Sequence, residues 1–140
     1  MDCGGPCKAC TQNTSIIAVS ASQQGNYGPE VTLDGVRSDL AYWATEGDNQ
    51  WVAYELSEET TIAYVRIAFT HESSRYFEIE TSPDGTSWKA VASEFTSQAN
   101  NPLEWQSFIF PPVNASHVRF LGHGSSLSGR NGWNTISEID

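Results

Sequence analysis

The chain has 140 residues, with 39% hydrophobic residues, five tryptophans and a formal net charge of -10. This length predicts one domain with a sizeable buried core, and the composition excludes a disordered chain. The acidity excludes nucleic acid and anionic membranes as partners, because both require a basic surface. No apolar run approaches the roughly 20 residues of a membrane-spanning helix.

Residues 1–14 are predicted to form a tail or linker before a single domain at 15–140, since they are rich in Gly, Pro, Cys and polar residues. Their start lacks the charged and apolar regions of a signal peptide, so a secreted protein with this sequence would be a piece of a longer chain. Cys3, Cys7 and Cys10 all lie in this segment. Three cysteines cannot all pair internally and a zinc site normally has four ligands, so a local disulfide and metal binding both stay open.

Short segments that alternate apolar and polar residues predict strands along the rest of the chain. The alternation places Val52, Tyr54 and Leu56 on one face of their strand, and Phe77 and Ile79 on the inner face of another. Turn-rich segments, among them 58–61 and the Ser-Pro-Asp-Gly turn at 82–85, separate the strands. The predicted strands are 15–22, 50–56, 62–70, 75–82, 88–91, 106–110, 117–121 and 133–140.

No window of ten residues shows a helical period, so the sequence predicts an all-β sandwich or barrel. The large aromatic side chains of Trp51 and Trp88 lie on or beside predicted strands and are assigned to the core.

The segment 31–43 is rich in oxygen ligands just before a strand. Asp34, Ser38 and Asp39 surround Gly35, which favours a turn. Calcium takes several side-chain and backbone oxygens at once, so this loop is a candidate structural calcium site.

Two groups of polar residues stand where predicted strands end. One is the turn at 70–75, and the other is the glycine- and serine-rich loop at 122–132 with the two residues that follow it. Sugars are bound by planar donors for hydroxyl pairs or carboxylates, together with an aromatic face. The candidate sugar-binding residues are His71, Glu72, Arg75, His123, Arg130, Asn131, Trp133 and Asn134. For each of these residues an ordinary solvated loop position remains an alternative, and for Trp133 core packing is an alternative as well.

The sequence shows no recognisable catalytic motif: no nucleophile elbow, no phosphate loop and no zinc helix. The 17 acidic residues offer many carboxylate pairs, but no spacing singles out a pair suited to sugar hydrolysis. We therefore expect a binding module and not an enzyme. Asn13 and Asn114 begin glycosylation sequons, which matter only in a secreted eukaryotic protein.

Three stretches carry a resemblance to a known family: LDGVRSDLAYWATEGDNQWVAYEL, VRIAFTHESSRYFEIETSPDGTSW and VRFLGHGSSLSGRNGWNTISEI. In this order and over about residues 15–140 they resemble a discoidin-like (coagulation-factor type C) domain. Within that superfamily the chain is most similar to family-32 carbohydrate-binding modules, particularly those attached to alginate lyases and other polysaccharide lyases. The resemblance implies a β-sandwich jelly roll of two antiparallel sheets, a structural calcium ion and a sugar site in the loops at one end.

Carried onto this sequence, the calcium ligands of the family match Leu33, Asp34, Ser38, Asp39 and Glu138. The sequence departs from the family at Val36, where many relatives have a second acid and this residue offers only a carbonyl. The loop up to Trp43 is also about two residues longer, which leaves the roles of the serine and of the second aspartate in question.

The sugar-binding residues of the family are best matched by His71, Arg75 and Asn134, with Trp133 nearby and Arg130 adding positive charge. The resemblance implies a secreted, monomeric, non-catalytic module that holds an appended polysaccharide-degrading enzyme on alginate or a related uronate polysaccharide. An adhesion domain for a glycoprotein or protein surface is the alternative, as is a module for chitosan, with Glu72 taking part, or for galactose-containing chains.

Overall fold

A computed structural model describes residues 15–140, so the predicted tail with Cys3, Cys7 and Cys10 and the sequon at Asn13 lie outside the described residues. No helix in the described part is long and apolar enough to cross a membrane. The elements in chain order are β1 (Ile16–Ala21), a 3-10 helix (Pro29–Leu33), β2 (Trp43–Glu46), β3 (Gln50–Ala68), β4 (Arg75–Ser82), β5 (Lys89–Ala90), β6 (Phe95–Thr96), β7 (Trp105–Ser125), β8 (Trp133–Ile136) and β9 (Glu138–Ile139).

The strands form two antiparallel sheets. The larger one has seven strands, with the order β1-β3-β7-β4-β5 and with β6 and β9 pairing with β4 and β3; the smaller one pairs β2 with β8. Every strand pairing is antiparallel. The predicted all-β sandwich of two antiparallel sheets is therefore confirmed.

Strands β3 and β7 are much longer than predicted, and each merges two predicted strands into one. On β3, Glu55 pairs with His117 and Thr60 with Ala115, so a step of five residues faces a step of two on β7. The extra residues form a bulge, which bends a strand without reversing it. The turn predicted at 58–61 is therefore wrong. The polar residues there form a bend in β3, after which β3 continues to pair with β7.

The core lies on the inward faces of the alternating strands. Val52, Tyr54, Phe77 and Ile79 are all buried, as their alternation predicts. The ring of Phe77 stacks on Phe120 with 4.8 Å between centroids, and these aromatic contacts add to the burial of apolar area. The other fully buried side chains of the core include Trp43, Ile67 and Ile136.

The prediction that Trp51 and Trp88 belong to the core is wrong. Trp51 precedes the buried Val52 on β3, and because successive side chains point to opposite faces, it lies on the outer face of the sheet. Both indoles are half-buried against Arg119, whose guanidinium carbon lies 4.3 Å from the Trp88 ring centroid. The tryptophan at the centre of the core is Trp43, with 0% exposure.

The predicted last strand at 133–140 is divided at Ser137. Strand β8 pairs with β2 in the small sheet, whereas β9 pairs with β3 in the large one. At the division the Ser137 hydroxyl donates to the carbonyl of Ser38 and accepts from its N–H, at 2.9 and 2.8 Å. These bonds attach the oxygen-rich loop to the C-terminal strands.

Candidate functional site

A cavity with a volume of about 620 Å³ opens between the loops at one end of the sandwich. Residues from five separate parts of the sequence line it, some in loops and some on strands, which is the arrangement typical of a ligand site on a rigid scaffold. Its lining includes Tyr27, Asp39, Tyr42, His71, Arg75 and Trp133.

Arg75, the first residue of β4, supplies the positive charge beneath this pocket. It is 4% exposed, and its two terminal nitrogens donate to the carbonyls of Trp133 and Thr70, both at 3.0 Å. No ion pair of residues 15–140 includes it, and its buried Nε has no hydrogen-bond partner. Burial lowers the pKa of Arg75 to about 10, which still leaves the group charged at neutral pH. A buried cation without a counter-charge favours an anionic ligand.

His71 stands on the wall of the pocket in a strained turn. Its φ of 66° lies in the left-handed region, which residues other than glycine adopt rarely and often at functional sites. The ring is fixed by a 2.8 Å hydrogen bond between Nδ1 and Thr70 Oγ1 and by an edge contact with Tyr42, with 5.5 Å between ring centroids. The imidazole therefore has a defined orientation before any ligand binds.

Large apolar side chains surround the mouth of the pocket. Trp133 is 46% exposed, and Leu40, Leu127 and Tyr27 are exposed as well. The Trp133 backbone is held on both sides, since its N–H donates to Ser128 Oγ and its carbonyl accepts from Arg75. Core packing, the alternative for this tryptophan, is not what the structure shows. Clustered exposed apolar groups are typical of a binding surface.

Asn134 faces away from the pocket. It is 1% exposed and is not among the lining residues. Its Oδ1 accepts from the Gly124 N–H at 2.8 Å, and its Nδ2 donates to the carbonyls of Thr45 and Gly47 at 3.2 and 2.8 Å. A side chain on Gly122 would clash with it, because a Cβ there would lie 2.3 Å from Oδ1. In this structure the Asn134 amide connects separate segments of the backbone and is not available to a sugar.

Arg130 also lies outside the pocket. It pairs with Glu94, and its guanidinium carbon lies 4.4 Å from the Tyr76 ring centroid. The adjacent carboxylate neutralises its charge, so Arg75 is the cation of the pocket lining.

The five predicted calcium ligands lie in three places. Asp34 and Glu138 lie side by side, with Leu33 at the end of the 3-10 helix directly before Asp34. Ser38 is attached to Ser137 through its backbone, and its hydroxyl accepts from the Leu40 N–H. Asp39 lines the loop pocket instead.

Among the predicted calcium ligands, Glu138 has the carboxylate best suited to bind a cation. It is 6% exposed, its Oε2 accepts from the Gly35 N–H at 2.9 Å, and its buried Oε1 has no hydrogen-bond partner. Burial raises the pKa of Glu138 to about 7, and the neighbouring Asp34 carboxyl adds to the rise. Within residues 15–140 no three His, Cys, Asp or Glu side chains converge, so calcium here would also need backbone carbonyls and water.

Tyr27 and Leu127 are pocket residues that the sequence patterns did not identify. Both are large side chains flanked directly by Gly, Ser and Asn, in the stretches Gly-Asn-Tyr-Gly and Ser-Leu-Ser-Gly. A large apolar side chain among such loop residues is not part of the buried face of a strand. This isolated position is the signal that could have identified Tyr27 and Leu127 as pocket residues.

Comparison with solved structures gives several matches over nearly the whole domain. A pectin-binding carbohydrate-binding module superposes with a TM-score of 0.81 and 27% identity, covering 91% of each chain. The family-32 carbohydrate-binding module of AlyQ, solved with 4,5-unsaturated mannuronic acid, gives 0.80 and 28%, covering 89% of this chain and 93% of that one. A truncated AlyQ with this module and its alginate lyase domain gives 0.80 and 29%, with 89% of this chain and 31% of that chain covered.

No curated protein matches the sequence. The family description of the F5/8 type C domain, in contrast, matches residues 15–139. The three sequence stretches, the two antiparallel sheets and the end-to-end structural matches all agree with that match. The chain belongs to the F5/8 type C domain family.

Proposed function

We propose that this domain is a carbohydrate-binding module whose loop pocket binds uronate residues of a polysaccharide such as alginate or pectin. The observation that carries the proposal is the buried, unpaired Arg75 at the base of an open pocket with aromatic walls. A guanidinium binds a carboxylate through charge-assisted hydrogen bonds, and the exposed face of Trp133 suits the C–H side of a sugar ring. A binding role without catalysis agrees with the matched structures, which are carbohydrate-binding modules by name.

The charge of the whole chain opposes a uronate at long range, since the net charge is -10. Screening at physiological ionic strength confines that repulsion to about 8 Å. Inside the pocket the buried guanidinium is screened far less and acts on the ligand directly. Asp39, the acidic residue of the lining, stands at an exposed position. Attraction at the pocket is therefore expected to exceed the general repulsion.

The module would hold an attached polysaccharide-degrading enzyme on its substrate outside the cell. The support is the matched AlyQ chain, in which a module of this kind accompanies an alginate lyase domain. Polysaccharides of this class are extracellular, so the proposal includes secretion. It also includes a monomeric domain, because one pocket on one chain suffices for this role.

We further propose that calcium stabilises the domain at the contact between the oxygen-rich loop and β9. Asp34 and Glu138 would hold the ion, with the carbonyl of Leu33 as a further ligand. Calcium would neutralise two adjacent carboxylates and so connect residues 104 positions apart in the sequence. The buried, unpaired oxygen of Glu138 supports this proposal.

The proposed function is tested by calorimetry with trigalacturonate and trimannuronate on the wild type and on Trp133→Ala. We expect binding with a dissociation constant on the order of 1 mM to 1 μM, or about -4 to -8 kcal/mol. Removing the indole should weaken binding about tenfold, because a stacking surface of the pocket is lost. The exposed position of Trp133 makes this substitution safe for the fold.

The matched control is Tyr64→Ala, which removes an aromatic side chain of similar exposure on β3 outside the pocket. It should bind like the wild type. A second variant, Arg75→Lys, keeps the charge but loses the planar donor pair, and uronate binding should fall more than tenfold. The proposal is wrong if neither trisaccharide binds, or if Trp133→Ala and Tyr64→Ala bind equally well.

A further inference from the structure

A second cavity lies on the outer face of the large sheet, away from the loop pocket. It has a volume of about 360 Å³, which falls within the range of small ligand sites. Small side chains form its floor, because Ser20 of β1 pairs with Ala53 of β3 and Ala18 pairs with Glu55. The indoles of Trp51 and Trp88 belong to its walls. We call this surface the sheet trough.

Arg119 fixes the two indoles. Its guanidinium carbon lies 4.3 Å from the Trp88 ring centroid and 5.6 Å from that of Trp51. Across the sheet its Nε donates to Glu80 Oε1 at 2.7 Å, in a largely buried ion pair. His117 meets Trp88 edge-on, with 6.2 Å between ring centroids. These contacts hold aromatic surface in place at the trough without burying it in the core.

The trough also offers polar groups with no partner in the described chain. The Ser20 hydroxyl and the Glu55 carboxylate are exposed, and no hydrogen bond or ion pair within residues 15–140 uses them. Together with the indole N–H groups they provide donors and acceptors beside an apolar surface. A sugar ring has the matching chemistry, since it presents hydroxyls at its edge and C–H groups on its face.

The charges of the trough determine which sugars fit. Glu80 compensates the charge of Arg119, whereas the Glu55 carboxylate is uncompensated. An anionic uronate would therefore be repelled here, in contrast to the loop pocket with its unpaired Arg75. An uncharged ring escapes this repulsion.

We propose that the sheet trough is a second sugar site that binds uncharged pyranose rings of a polysaccharide. It is independent of the uronate pocket, and the two sites differ in the charge of the sugar that they accept. A domain with both sites would contact two segments of a chain, or two neighbouring chains, and gain avidity without any change in either site.

The test is calorimetry and tryptophan fluorescence with three uncharged hexasaccharides: cellohexaose, mannohexaose and N-acetylchitohexaose. We expect at least one of them to bind the wild type with a dissociation constant on the order of 1 mM or tighter. Ser20→Arg fills the trough from an exposed position, and Trp88→Ala removes one wall. Each should weaken that binding about tenfold or more. Thr96→Arg, which adds the same charge at an exposed position of β6 outside both cavities, should leave it unchanged.

Trigalacturonate and trimannuronate are titrated into the same variants to keep the two sites apart. Ser20→Arg and Trp88→Ala should bind these uronates like the wild type, and Trp133→Ala should bind the uncharged hexasaccharide like the wild type. The trough proposal is overturned if no uncharged hexasaccharide binds, or if binding is equal in the wild type, Ser20→Arg and Trp88→Ala. Loss of uronate binding alone concerns the loop pocket and not the trough.

Discussion

Replacing Asn134 by alanine should lower the stability of the domain and leave sugar binding by the folded protein nearly unchanged. This residue is the point at which the family resemblance and the structure assign different roles to one side chain. The resemblance places its amide among the sugar contacts, whereas in the structure it bonds three backbone groups from two other segments and is 1% exposed.

The expected loss follows from those three hydrogen bonds. A typical hydrogen bond contributes a net 0.5–1.5 kcal/mol, and a buried group left without a partner costs about 1–3 kcal/mol. Alanine removes the Asn134 side of all three bonds, so the Gly124 N–H and the carbonyls of Thr45 and Gly47 each lose this partner. Water can replace some of the lost hydrogen bonds, so we expect the free energy of unfolding to fall by roughly 3 kcal/mol. For a domain of this size that lowers the Tm by roughly 10 °C.

The assay is thermal unfolding followed by circular dichroism, with trigalacturonate binding measured well below the transition of both proteins. The matched control is Asn131→Ala, an exposed asparagine of the loop directly before β8, which should change the Tm by less than about 2 °C. In the folded Asn134→Ala variant the dissociation constant should stay within about threefold of the wild-type value, or about 0.6 kcal/mol. A Tm equal to that of the control, together with a tenfold loss of affinity, would refute the structural role and make the amide a sugar ligand.

Two further predictions concern the proposed metal and the pH. Chelation should lower the Tm of a calcium-loaded sample, because calcium at a hundredfold excess over its dissociation constant stabilises the folded state by about 2.7 kcal/mol. The Tm of Glu138→Gln should not change on chelation. A wild-type Tm that chelation leaves unchanged would contradict the calcium site. His123 lies 2.6 Å from Asp48 and 3.2 Å from Glu78. Burial opposes protonation of the imidazole, but the hydrogen bonds to the two carboxylates outweigh it and raise the pKa of His123. Because the raised pKa belongs to the folded state, its stabilisation is fully present below about pH 6.5 and is lost as the pH rises through the folded-state pKa. The Tm difference between wild type and His123→Gln should therefore shrink as the pH rises above about 6.5, and a constant difference counts against the ion pair.

Much of the fold could be predicted because the alternation of apolar and polar residues along a strand shows which of its faces is buried. A strand with one buried face must alternate, so Val52 and Tyr54, or Phe77 and Ile79, reveal which side points inward. Strand β4 was predicted with the bounds that the structure shows, since Arg75–Ser82 alternates without interruption up to a Ser-Pro-Asp-Gly turn. Composition and acidity likewise restrict the possible partners, because the net charge of a chain does not depend on how it folds.

The long strands could not be predicted in the same way, and the assignment of Trp51 to the core by its size was wrong. Residues 58–61 of β3 are polar and resemble a turn, but only the pairing with β7 decides between a reversal and a bulge. Trp51 is large and apolar, which favours the core in any composition-based assignment. The alternation that places Val52 inward already predicts the outer face for Trp51, where its indole packs against Arg119 of the neighbouring β7.

Local periodicity and ordered motifs were enough to establish the fold class, the strand faces, the absence of a recognisable catalytic motif and the family. The identity of the loop residues that form the pocket depends on the folded arrangement. Arg75 and Trp133 are 58 positions apart, yet the guanidinium of one holds the carbonyl of the other, while Asn134, the next residue, turns inward. The opposite directions of Trp133 and Asn134 follow from the alternation of β8, which is a local pattern. The contact between Arg75 and Trp133 joins distant parts of the sequence, so no local pattern predicts it.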